Sequence, residues 1–124
     1  MISKKPISRL KKDTDKAAQR WGARQGKFCE SCGGVHYCLH HLFPKSISLR
    51  LRYYLPNLIF ICQSCHFKHH TMYDPTIHEK IIAKREAEHA GYFEELVEEK
   101  NRNGGIIKLG KQDYLDIIKW FNEN

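Results

Sequence analysis

The sequence predicts an α+β fold: a short strand–loop–strand–helix core with helices on either side of it. Two observations predict the core and a third predicts its flanks. Two Cys-x-x-Cys pairs, Cys29/Cys32 and Cys62/Cys65, stand about thirty residues apart. Between them lie two short runs rich in aliphatic, aromatic and β-branched residues, which read as strands. Outside them, apolar residues recur at helical spacing over residues 14–25, 75–89 and 111–122.

Four thiols in such pairs suit one closed tetrahedral zinc site built from Cys29, Cys32, Cys62 and Cys65. A chain of 124 residues makes one domain with a modest core, to which a structural metal contributes folding energy. Five cysteines cannot all pair, and Cys-x-x-Cys inside a cell favours metal over disulfide. Cys38 is the odd one, expected as a small buried apolar residue. The sequence has no run of eighteen apolar residues and no signal-peptide pattern. The expectation is therefore a cytoplasmic, intracellular protein with no membrane contact.

Charge is unevenly spread. Residues 1–72 hold 13 Lys and Arg against 3 Asp and Glu, whereas residues 73–124 hold 8 against 11, within a formal net charge of +7. The basic half is the half with the cysteines, which points to a polyanion, most simply nucleic acid, near the metal. A solvated basic surface with no partner would give the same composition.

In chain order, residues 1–26 read as a basic arm and a lead-in helix. Residues 1–12 carry Pro6 and five Lys and Arg, and are expected to be flexible. A helix follows from Thr14 to Gln25, capped by Asp13 or Thr14, with Trp21 as a core anchor. Residues 27–72 are the core. Lys27–Gly34 is a metal knuckle in which Gly33 and Gly34 allow a tight turn. Val35–Phe43 and Asn57–Ile61 are the strands, and a helix runs from near Ser64 to Met72. Residues 73–124 are a helical extension expected to pack on the core. Asp74-Pro75 opens its first helix, which carries Ile77, Ile81 and Ile82 inward. Gly91 ends that helix, and an acidic helix or turn runs from Tyr92 to Lys100. Asn103-Gly104-Gly105 breaks the chain. The last helix buries Tyr114, Leu115, Ile118 and Phe121.

A closed Cys₄ site leaves the histidines unused. His66 and His70 are four apart and share one face of a helix, as a metal pair requires. With His40 they make three imidazole ligands and leave positions open for water and a phosphate oxygen. Strand neighbours point to opposite faces, so His41 is free to act as a general base. The Asn57 carbonyl is expected to accept from the His41 ring and fix its tautomer. His69 is expected at the surface or on a phosphate. For any one histidine, ordinary polar surface is the simpler account; for five in this arrangement it is not.

These motifs together resemble the zinc-stabilised form of the HNH, or ββα-metal, endonuclease superfamily, whose core is treble-clef-like. The resemblance covers about residues 27–72. It rests on the flanking C-x-x-C pairs, Leu39-His40-His41-Leu42, Asn57 ahead of an apolar strand, and C-x-x-C-H with a further His at 70. It implies that His40 binds a catalytic metal, that His41 is the base, and that Asn57, His66 and His70 complete the site. Some members ligate the metal through an Asn, which would give that role to Asn57 and a lesser one to His70. One divalent ion, Mg²⁺, Mn²⁺, Ni²⁺ or Zn²⁺, is implied beside the structural Zn²⁺. The layout is also similar, more loosely, to phage recombination-associated proteins of the NinG/Rap type.

The function expected is hydrolysis of DNA phosphodiester bonds by nicking or structure-specific cutting. Duplex or branched DNA is the partner, and no small-molecule substrate is expected. A homodimer is compatible with this reading, and the setting implied is a bacterial or phage-infected cell. Lys45, Arg50, Arg52, Lys68 and His69 are the candidate DNA contacts. The alternatives are a non-catalytic zinc-finger module that binds DNA or RNA, and a nuclease toxin on the same fold.

Overall fold

The structure, a computed structural model, describes residues 4–35 and 38–124. Its elements in order are α1 (Ile7–Arg24), β1 (Cys38–His41), α2 (Leu49–Arg52), a 3₁₀ turn (Leu55–Asn57), β2 (Leu58–Ile61), α3 (Gln63–His70), α4 (Thr76–Glu88), α5 (Tyr92–Asn101), a second 3₁₀ turn (Arg102–Gly105) and α6 (Lys111–Glu123). Among the described residues, no helix is long and apolar enough to cross a membrane. The chain divides into two compact units, Met1–Gly26 with Ile107–Asn124, and Lys27–Ile106.

The first unit is a helix pair. Leu10, Thr14, Ala17, Ala18 and Gly22 form the buried stripe of α1, spaced at three and four residues as a helix face requires. Tyr114 and Phe121 form that of α6. Trp21 packs on Trp120 and Phe121, with ring centroids 6.0 and 5.7 Å apart. It is the anchor expected of it. The amphipathic last helix pairs with α1 within this unit. The expected flexible arm is also corrected. The helix begins at Ile7, because Pro6 supplies a preset φ of −67° and its carbonyl accepts from the Arg9 and Leu10 amides. Residues 1–3 of that arm lie outside the described residues. Neither Asp13 nor Thr14 is a cap. Asp13 lies within the helix and pairs with Lys5 at 3.1 Å and Arg9 at 3.2 Å, while the Thr14 hydroxyl donates to the Leu10 carbonyl.

The second unit is built on a two-stranded antiparallel sheet. Cys38 pairs with Ile61, Leu39 with Phe60, His40 with Ile59, and His41 with Leu58. Residues 36 and 37 of the first expected strand lie outside the described residues. Every residue of β2 is buried, so the strand reads as a continuous apolar run rather than an alternating one. Leu42, Leu51, Ile59, Ile61, Ile77, Ile81, Tyr92 and Leu96 form the core together with Cys29, Cys62 and Cys65. Ser48 caps α2 by accepting from the Leu51 amide. Just ahead of α4, whose N-cap is Pro75, the Asp74 carboxylate accepts from the Thr76 amide at 2.9 Å. Gly91 adopts a φ of +88° between α4 and α5, a conformation that disfavours any residue with a Cβ.

Candidate metal centres

The knuckle comes first. Gly33, at φ +79°, turns the chain back, so that the Cys29 amide donates to the Gly34 carbonyl and the Gly33 amide to the Cys29 carbonyl. A Cβ at Gly34 would lie 3.4 Å from the Cys32 sulfur, so the loop closes tightly around that thiol. The second pair sits at the start of α3, where the Cys62 sulfur accepts from the Cys65 amide as the N-cap. Cys32 and Cys62 sulfurs lie 3.5 Å apart, and the four sulfurs of Cys29, Cys32, Cys62 and Cys65 lie within 4.8 Å of one another.

A zinc ion suits this donor set. Burial works to raise the Cys29 pKa, but amide donors from Cys32, Cys62 and Ser31 outweigh it and bring the thiol down to about 7. Burial pushes Cys65 up to about 12. Binding of a cation displaces protons from such a thiol set. Cys38 lies outside the cluster, half-buried, with its pKa raised by burial as for a small apolar residue.

The second centre is made of imidazoles. His40 projects from β1 toward α3, where its ring lies 5.3 Å from that of His66 and 4.8 Å from that of His70. His66 and His70 rings, one turn apart, are 4.5 Å from each other. The ligating atoms of His40, His66 and His70 all fall within 4.8 Å, so this expected trio is brought together. Burial depresses the His40 pKa to about 3, helped by the neighbouring His70, His78, His66 and His69. Burial also lowers His66, with His70 and His69 adding to the shift. Neutral imidazoles with available lone pairs are the form a metal requires. The His40 Nε2 is buried with no hydrogen-bond partner, which fits a nitrogen reserved for a metal.

His69 is half-buried: it stacks on His78 of α4 at 3.9 Å between centroids and lies 5.5 Å from His40. His40, His69 and His78 also have ligating atoms within 4.8 Å of one another. Sequence spacing pointed to no role for His78. Its only trace was a position next to the inward-facing Ile77, and the turn from α3 to α4 is what brings it over His69.

His41 faces away from that cluster, as strand alternation requires. Its Nε2 lies 2.8 Å from the Arg52 carbonyl oxygen. A carbonyl only accepts, so Nε2 carries the proton and Nδ1 holds the lone pair. The expected Asn57–His41 contact is therefore corrected. Asn57 is fully buried, its Oδ1 accepts from the Phe43 amide at 2.8 Å, and its Nδ2 donates to the Phe43 and Leu51 carbonyls at 3.1 and 3.0 Å. It clamps the loop that follows β1, and its carbonyl is turned to the backbone rather than to a metal.

Of the expected DNA contacts, Lys45 and Lys68 are exposed. Arg52 lies with its guanidinium 5.8 Å over the Tyr53 ring. Arg50 is corrected: it is largely buried, and donates to the Glu99 carbonyl and the Ile106 carbonyl, each at 3.0 Å. It fastens α2 to the end of α5. Comparison with family models, curated proteins and solved structures found no match to this chain.

Proposed function

We propose that this chain is a metal-dependent endonuclease of the HNH, ββα-metal type that hydrolyses phosphodiester bonds in DNA. The observation that carries the reading is one strand with two histidine roles. His40 joins His66 and His70 in a trio whose ligating atoms lie within 4.8 Å of one another, while the adjacent His41 is held in one tautomer by the Arg52 carbonyl.

In this reading His40, His66 and His70 hold a divalent ion. Such an ion neutralises charge that develops on a phosphate and its leaving oxygen. His41 Nδ1 takes a proton from the attacking water as its oxygen bonds to phosphorus and the P–O bond opposite breaks. The Arg52 carbonyl then stabilises the imidazolium, since it faces the ring N–H at 2.8 Å. Asn57 is a positioning residue that fixes the loop between β1 and α2. The zinc held by Cys29, Cys32, Cys62 and Cys65 ties the first knuckle to α3 and so fixes the helix that carries His66 and His70. Lys45 and Lys68, both exposed, supply phosphate contacts. The setting that suits the activity is phage or mobile-element DNA processing in a cell's interior.

The test is nicking of supercoiled plasmid by the protein and by His41→Ala, first in EDTA and then with Mg²⁺, Mn²⁺, Ni²⁺ and Zn²⁺ in turn. Metal-dependent nicking that disappears in the variant is expected. Absence of cleavage with every metal, on plasmid and on branched DNA alike, while DNA is still bound, would replace the reading with a zinc-stabilised binding module.

A further inference from the structure

Three ring nitrogens, His40 Nε2, His69 Nδ1 and His78 Nε2, are buried without a hydrogen-bond partner. Leaving such a nitrogen unpaired is unfavourable. They belong to three different elements, β1, α3 and α4, and they are three members of one cluster whose ligating atoms lie within 4.8 Å. His69 and His78 rings are nearly parallel, 28° apart at 3.9 Å. A fold that gathers unpaired nitrogens in this way has the donor arrangement of a metal site.

We propose that His40, His69 and His78 form a second transition-metal site, which shares His40 with the trio of His66 and His70. His40 is common to both trios, and through a single nitrogen it serves one ion at a time. The second trio offers three imidazoles and no carboxylate, a set that favours Ni²⁺, Zn²⁺, Co²⁺ or Cu²⁺ over Mg²⁺. It is also the better shielded of the two, since His70 is exposed and His69 and His78 are both half-buried. An ion there links α4 to β1 and α3, whereas an ion on the first trio links only β1 and α3. The proposal concerns metal binding alone and stands whether or not the chain cuts DNA.

The test is Ni²⁺ titration of the zinc-loaded full chain by calorimetry, with His66→Ala/His70→Ala beside it. The double variant is expected to bind one Ni²⁺ within about tenfold of the unaltered protein. Adding His78→Gln to it is expected to weaken binding by at least about tenfold. Loss of all Ni²⁺ binding in the double variant, or no effect of the added His78→Gln, would overturn the second site. A measurement on the unaltered protein removes any dependence on variant folding. Bound Co²⁺ is expected to give the His78 ring protons the large contact shifts of a directly coordinated imidazole. Contact shifts on His66 and His70 with none on His78 would overturn the proposal.

Discussion

Arg85 grips Glu30 with two parallel hydrogen bonds, Nε to Oε1 at 2.6 Å and Nη2 to Oε2 at 2.8 Å. Glu30 lies inside the first metal knuckle, between Cys29 and Cys32, and Arg85 lies on α4. The same guanidinium donates to the Leu58 carbonyl at 2.9 Å and to the Pro56 carbonyl at 3.3 Å. The Glu30 carboxylate also accepts from the Phe60 amide at 2.8 Å. One ion pair thus fastens the knuckle and β2 to α4, and both side chains are largely shielded. Removing one partner strands the other as a buried charge. Arg85→Ala is expected to destabilise the zinc-loaded protein by about 3–5 kcal/mol, measured by urea unfolding. Arg85→Lys should recover only part of that, because an ammonium cannot make the paired contact. An Arg85→Ala protein with an unchanged urea midpoint would mean that the pair is decorative.

The metal at the cysteines is expected to stabilise the second unit directly. Cys62 has two tasks there, as one of the four clustered sulfurs and as the N-cap of α3. Cys62→Ser keeps a capping oxygen but weakens the tetrathiolate set, so the loss it reports belongs to the metal. The variant should bind zinc poorly, as read by elemental analysis. It should also lose cooperative unfolding of the second unit. A weak chelator applied to the unaltered protein should leave that zinc in place while stripping any ion from the histidines. A Cys62→Ser protein that melts with the unaltered one would remove the structural metal from the account.

His41 and Asn57 are expected to fail in different ways. His41 is half-buried and held through the Arg52 carbonyl, so His41→Ala should remove cleavage and leave the melting temperature and DNA affinity near those of the unaltered protein. Asn57 is fully buried, with three hydrogen bonds to backbone groups of Phe43 and Leu51. Asn57→Ala strands those groups and should cost about 1–3 kcal/mol for each one left unpaired and buried. Thermal melting beside the nicking assay separates the two. Equal loss of stability in both variants would deny His41 its special role.

Much of the second unit was legible because local rules and tertiary structure agree there. The Cys-x-x-Cys spacing, the apolar run of β2, Asp74 just ahead of α4 and the His66/His70 pair each follow from short-range geometry. What was not legible depended on contacts between distant elements. Nothing in the spacing of Arg50 shows that Glu99 and Ile106 will accept from it. Asn57 beside a histidine pair suggests a catalytic partner, but the loop after β1 brings backbone groups closer than the ring. His69 and His78 meet only because the turn from α3 into α4 folds one helix toward the other. The last helix showed its apolar face plainly, but a face does not name its partner, and α1 takes it.

Glu86 makes the pH dependence of the α4–α5 junction predictable. Its Oε2 accepts from the Gly91 amide at 2.9 Å and its Oε1 from the Phe93 amide at 2.8 Å. Those amides begin α5, so the carboxylate acts as a cap reaching across the turn. The Phe93 and Gly91 hydrogen bonds hold its pKa below the ordinary glutamate value of 4.5. The folded state therefore binds the proton less readily than the unfolded state. Stability from this group is complete above the unfolded value and is lost as pH falls through the lower, folded one. Glu86→Gln removes the charge at every pH. The melting temperature of the variant should accordingly lie below that of the unaltered protein at pH 7, and the gap should narrow as pH falls from about 5 toward 3. Taking the difference between the two proteins cancels the titration of the histidines other than His89, which interacts with the Glu86 charge. A gap that is constant from pH 7 to 3 would mean that the charge of Glu86 contributes nothing, and that its amide contacts are equally well made by a neutral side chain.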